Sequence, residues 1–154
     1  SDNMPEAIQR VSAATILEPQ NPVVYFQHGL LEYANEDYVK AVQAFERAVS
    51  LNGSYANARY FLGLSLYRID RVDDAISEFE TVAQLNPGNT EVTTILNNLQ
   101  AGRDPFTGLS GEGSIEERSS LPIESDNDSL DPESDAVIGE ELAPEPEEPE
   151  PTNP

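Results

Sequence analysis

Along the first hundred residues, core-type side chains recur every three or four positions, and that spacing predicts helices. Val24, Tyr25, His28, Leu31 and Glu32 fall on one helical stripe, and Tyr38, Ala41, Val42, Phe45, Ala48 and Val49 on a second. Two further stripes follow, Phe61, Leu62, Ser65, Leu66 and Ile69, then Val72, Ala75, Ile76, Phe79 and Val82. A single stripe precedes these four (Ala7, Val11, Ala14, Leu17), and another ends the series (Ile95, Leu96, Leu99). The pattern predicts an all-α chain of six helices.

The stripes repeat with a period of 34 residues. Shifting the chain by that interval lays Gly29 on Gly63, Leu30 on Leu64, Tyr33 on Tyr67, Ala41 on Ala75, Phe45 on Phe79 and Leu51 on Leu85. Tyr25 on Arg59 is the poorest match. The period divides the folded part into a half repeat at 4–21, full repeats at 22–55 and 56–89, and a terminal helix at 90–100. Helix starts are signalled by Asn21 before Pro22 and by Asn89, whose side chains can accept from exposed first-turn N–H groups. Asp70 with Asp73 suggests a shortened capping box. Asn86-Pro87-Gly88 stops the helix before it.

Gly29 and Gly63 sit in helix interiors, where glycine costs up to about 1 kcal/mol against alanine. The gain that offsets this is close approach of the second helix. Ala41 and Ala75 are the expected neighbours across the seam, with Phe45 and Phe79 filling the space beside it. Ala14, Ala48 and Val82 are placed to meet the first helix of the next unit.

Composition limits how far this order extends. The 154 residues carry 29 acidic and 8 basic side chains, a formal charge of -21. From Gly111 onward Arg118 is the only basic residue, and Gly, Ser, Pro, Asp and Glu dominate. Too few apolar groups remain there to offset the entropy of ordering, so 101–154 is expected to be a disordered acidic tail. Ser125 and Ser129 lie in acidic surroundings, and Leu121–Ile123 and Ala136–Ile138 are short apolar islands. The acidity argues against nucleic acid as a partner and favours a basic surface, or only solubility. No run approaches the roughly 20 apolar residues of a membrane span, so direct membrane insertion of this segment is not expected. The chain has no cysteine, which fits a reducing cytoplasm without requiring it.

These residues resemble the tetratricopeptide repeat family. The second unit shows Leu62-Gly63, Ala75-x-x-x-Phe79 and Pro87 at the family spacing, and the first shows His28-Gly29, Ala41-x-x-x-Phe45 and Gly53. It departs from the pattern at Arg59, His28, Glu32 and Leu66. The resemblance implies an α-solenoid whose concave wall is lined by the first helix of each unit. On that wall it places Phe26, Leu30, Tyr33, Asn57, Tyr60, Phe61, Leu64, Tyr67, Arg68 and Asn98 as candidate binding residues. Some co-chaperone members grip a terminal carboxylate with lysine and asparagine there. Phe26 and Leu30 fill the matching places in the first unit, so an apolar docking mode is expected, with Asn57, Arg68 and Asn98 fixing register.

Candidate catalytic chemistry is sparse. His28 is the sole histidine and sits on a packing stripe, so a hydrogen-bonded structural role is expected rather than that of a general base. With no cysteine beside it, neither a transition-metal site nor any cofactor is expected. Asp126, Asp128, Asp131, Glu133 and Asp135 lack the glycine and closing glutamate of a calcium loop. Gly108–Gly113 lacks the lysine and following helix of a phosphate loop. The expectation is a noncatalytic scaffold binding a protein or peptide. Two alternatives stand beside it: self-association as a homo-oligomer, and a regulatory C-terminal appendage of a larger catalytic or membrane protein. The opening helix reads as the second half of a unit, so either a parent chain continuing upstream or a cut fragment is expected.

Overall fold

The computed structural model describes residues 3–109. Six helices follow one another: α1 (Met4–Leu17), α2 (Pro22–Ala34), α3 (Tyr38–Leu51), α4 (Ala56–Arg68), α5 (Val72–Leu85) and α6 (Thr90–Gln100). No strand occurs among the described residues. Consecutive helices pack against one another from α1 to α6, and α2 also touches α4, so the helix pairs stack as an α-solenoid. The expectations for Asp126–Asp135, Ser125, Ser129 and the two apolar islands lie outside the described residues.

Side-chain caps form at three helices, two of them at the expected Asn21 and Asn89. Asn21 accepts from the Val23 N–H at 3.0 Å, with Pro22 in the first turn. Asp37 accepts from the Lys40 N–H, and Asn89 from the Val92 N–H, each at 3.1 Å. The capping box at Asp70 is not formed. Arg71 occupies the N-cap position of α5 and makes no side-chain cap bond, while Asp70 has a φ of 63°.

That positive φ belongs to the end of α4 instead. The Arg71 N–H donates to the Leu66 carbonyl and the Asp70 N–H to that of Tyr67, the paired bonds that close a helix around one left-handed residue. Glu36, one period earlier, has a φ of 61° and closes α2 in the same way through Asp37 and Glu36. In α6 the bonds run from Arg103 to Asn98 and from Gly102 to Leu99, with Gly102 at 69°. The period would put the left-handed residue at Asp104. Closing two residues early rotates the exit of the chain by roughly 200° about the helix axis.

As a result, the boundary expected at residue 101 falls too early. Residues 101–109 continue as turns, Pro105 is buried, and Phe106 and Leu109 pack against the core.

That core is one cluster running from Tyr33, Ala41 and Phe45 through Phe61 and Leu62 to Phe79, Val82, Val92, Ile95 and Leu99. At its seams the glycines face aromatic rings. A Cβ on Gly29 would lie 2.5 Å from Phe45 Cε1, and one on Gly63 would lie 2.7 Å from Phe79 Cε2. It is therefore the phenylalanines that occupy the space each missing side chain leaves; Ala41 and Ala75 are fully buried on the same second helices. Ala48 clusters with Ala58 of the following unit, as its spacing predicted, and with Tyr55, the last residue of its own unit.

Candidate functional site

The first helices of the units, α2, α4 and α6, carry all ten candidate binding residues. Burial divides these into two groups. Phe26, Leu30, Asn57 and Tyr67 are half-buried and Arg68 is exposed, so these five remain accessible. Tyr33, Tyr60, Phe61, Leu64 and Asn98 are buried, which corrects the expectation that they line an open wall.

The correction follows from the position of α4. This helix lies between α3 and α5 and is apolar on nearly every side, burying residues from Ala56 to Leu66. Phe61 has ring contacts with Phe26, Tyr33, Phe45 and Tyr60, at centroid distances of 6.0, 6.2, 6.0 and 5.4 Å. Tyr60 is fully enclosed, edge-on to Phe79 at 5.5 Å, and its hydroxyl donates to Glu91 Oε1 at 2.8 Å. That bond ties α4 to α6. These rings hold neighbouring units together and are unavailable to an outside ligand.

The accessible residues are themselves held in place. The Phe26 ring lies 5.0 Å from Tyr55, and Leu30 and Tyr67 rest against the core. The Arg68 guanidinium stands 5.5 Å above the Tyr38 ring. Partial burial opposes its charge, but its hydrogen bond with Tyr33 and the fields of Tyr33, Tyr38 and Asp104 hold its pKa above the ordinary value. Arg68 is therefore a fixed cation beside an apolar stripe.

Asn98 is covered by the turns after α6. Its Nδ2 donates to the carbonyls of Pro105 at 3.0 Å and Thr107 at 2.8 Å. Sequence reasoning missed Pro105, Phe106 and Leu109 as part of this face. Gly102 followed by Asp104-Pro105 was the available signal: a helix stop and then a turn.

Elsewhere the polar groups are structural. His28 Nε2 lies 3.3 Å from Glu32 Oε1, one helical turn away on α2. Arg59 donates to Gly53 O at 2.7 Å and to Glu78 Oε2 at 2.8 Å. No group of three or more His, Cys, Asp or Glu side chains that could hold a metal ion occurs among the described residues.

Paired helices, glycine–phenylalanine seams and a 34-residue period define an α-solenoid of helix-turn-helix units. The chain carries a tetratricopeptide-repeat domain: residues 26–90 match the profile of the tetratricopeptide repeat family. It is 31% identical over 91 residues to anaphase-promoting complex subunit 3 of Schizosaccharomyces pombe, covering 59% of this chain and 14% of that protein. It is 27% identical over 94 residues to human RNA polymerase II-associated protein 3, covering 61% of this chain and 14% of that one. The chain thus spans a small part of the relatives it matches. Among solved structures, it resembles the first TPR of Spaghetti (RPAP3) bound to the HSP90 peptide SRMEEVD, with a TM-score of 0.62 and 25% identity. That match covers 66% of this chain and 80% of the other. MamA also superposes with a TM-score of 0.62 at 25% identity, over 64% and 58% of the two chains.

Proposed function

We propose that this domain is a noncatalytic scaffold that holds a peptide or helix of a partner protein on the concave face formed by its first helices. The observation that carries the reading is a half-open apolar stripe, Phe26 and Leu30 on α2 and Tyr67 on α4, edged by Asn57 and the fixed cation Arg68. Aromatic and aliphatic anchors beside a few polar groups are what a docked chain needs for affinity and register. The Spaghetti domain, similar in fold, is described with a bound peptide, and the yeast relative is by name a subunit of a complex. Both support a binding role.

An array of peptides, followed by fluorescence anisotropy on the best binder, tests this. Tyr67→Ala should weaken binding by about 1–3 kcal/mol while leaving the helical signal unchanged. Equal affinity of Tyr67→Ala and Leu30→Glu with the parent chain would remove the concave face from the account.

Self-association is a second reading, favoured by Ile16 and Leu17 at the end of α1, exposed by 79% and 81%. A concentration-dependent mass that Leu17→Glu returns to that of a monomer would support it. No described helix is long and apolar enough to cross a membrane.

A further inference from the structure

The turns after α6 do more than end a helix. The N–H groups of Gly102 and Arg103 already bond the last carbonyls of α6, so the cap is complete before Asp104. Beyond it, Asp104 Oδ1 accepts from the Phe106 N–H at 2.9 Å and the Asp104 carbonyl accepts from the Thr107 N–H at 3.1 Å. Together these make a tight turn with Pro105 at its second position.

The turn meets the wall through two kinds of contact, and its acid adds a field at Arg68. Asn98, one period after Leu64 and two after Leu30, spends its side-chain amide on the carbonyls of Pro105 and Thr107. Phe106 and Leu109 pack against the core cluster that contains Leu64, Ile95 and Leu99. The carboxylate of Asp104 acts on Arg68 through space. Main-chain carbonyls read by an amide, apolar anchors and an acid near a cation are the elements by which a groove holds a peptide.

We propose that Asp104–Leu109 is an intramolecular ligand of the concave face, filling its α4–α6 end in place of a partner segment with an acidic residue followed by an aromatic one. This rests on the peptide-binding reading above and specifies its regulation: the outside ligand competes with a segment already attached. A tethered segment has a high effective concentration, so release of the turn strengthens binding in trans.

The test uses the whole chain and a fluorescein-labelled peptide of residues 103–112. Two variants loosen the turn: Phe106→Ser with Leu109→Ser removes its anchors, and Asp104→Lys reverses its charge while sparing the core. The double variant should bind the peptide at least tenfold more tightly than the parent chain, and adding Asn98→Ala or Arg68→Ala should cancel the gain. Asp104→Lys should give an intermediate gain and faster amide exchange at Phe106 and Thr107, with helix content unchanged. If the double variant loses its helices, Asp104→Lys decides alone. A folded, loosened variant that binds no better than the parent overturns the proposal. So does an array-selected peptide bound equally by parent and loosened chains, a result that leaves the concave-face reading standing and makes the turn a passive cap.

Discussion

Gly63 of α4 and Phe79 of α5 meet so closely that a single added carbon on the glycine would stand 2.7 Å from the phenylalanine ring. Phe79 has no exposed surface and no open side to swing toward. Gly63→Ala therefore sets a helix-propensity gain of about 1 kcal/mol against overpacking of about 1–3 kcal/mol, and a net loss of stability is expected. Gly63→Leu should lose more still, and more than Arg10→Ala, which breaks only the exposed pair with Glu6. Urea midpoints of the three variants check the order.

The two tyrosines of α4, one enclosed and one half-open, should separate under mutation. Tyr60→Phe removes a bond to Glu91 from an enclosed site and should cost about 0.5–1.5 kcal/mol, whereas Tyr60→Ala opens a cavity and should cost about 3–5 kcal/mol. Tyr67→Ala, at a half-open position resting against the core, should lower the melting temperature clearly less than Tyr60→Ala. Thermal unfolding by circular dichroism distinguishes the three.

Arg59 offers a test of equivalence between the units. Its Nε donates to Gly53 O, while Tyr25, one period earlier, directs its hydroxyl at Pro19 O over a longer 3.4 Å. Both side chains reach the turn before their helix, so the poorest match in the repeat shares a partner position. Arg59→Ala should cost about 1.5–3 kcal/mol through the lost charged bonds, including that to Glu78. Arg59→Tyr should recover part of that loss in chemical denaturation.

The Asp37–Lys40 pair predicts a pH dependence. The hydrogen bonds of Asp37 to the Lys40 side chain and to its N–H lower the Asp37 pKa below 3.8. Its contribution is therefore complete above 3.8 and is lost as pH falls through the lower folded value. Lys40 is raised above 10.5 by its bond to Asp37, then by the charges of Asp37 and Glu32, so its contribution is complete below 10.5 and lost as pH rises through the folded value. Asp37→Asn keeps a cap acceptor without the charge. The stability gap between parent and Asp37→Asn should be present at pH 7 and close in acid, as read by urea midpoints.

What the sequence revealed and what it hid have separate causes. The fold was legible because packing constraints repeat: Gly29 with Phe45 and Gly63 with Phe79 are the same seam built twice, and the 34-residue period exposes them. The site was legible only in part. Position in the repeat tells which side chains point to the first-helix face, and Phe26, Leu30, Asn57, Tyr67 and Arg68 stay accessible there. It does not tell how closely the next unit covers that face, so Tyr33, Tyr60, Phe61 and Leu64 became core. Asn98 was lost to view for a third reason: its partners lie beyond the last periodic residue, where no repeat remains to align them. The left-handed residues Glu36 and Asp70 were also hidden, since neither is glycine and only backbone geometry marks them.

The most direct test of a concave binding face is a backbone and side-chain NMR titration of the chain with an array-selected peptide. The account predicts that the largest shifts fall on Phe26, Leu30, Asn57, Tyr67 and Arg68, with α3 and the outer side of α5 unmoved. Shifts gathered on the outer positions Glu46, Ser50, Ser77 and Glu78 would contradict it.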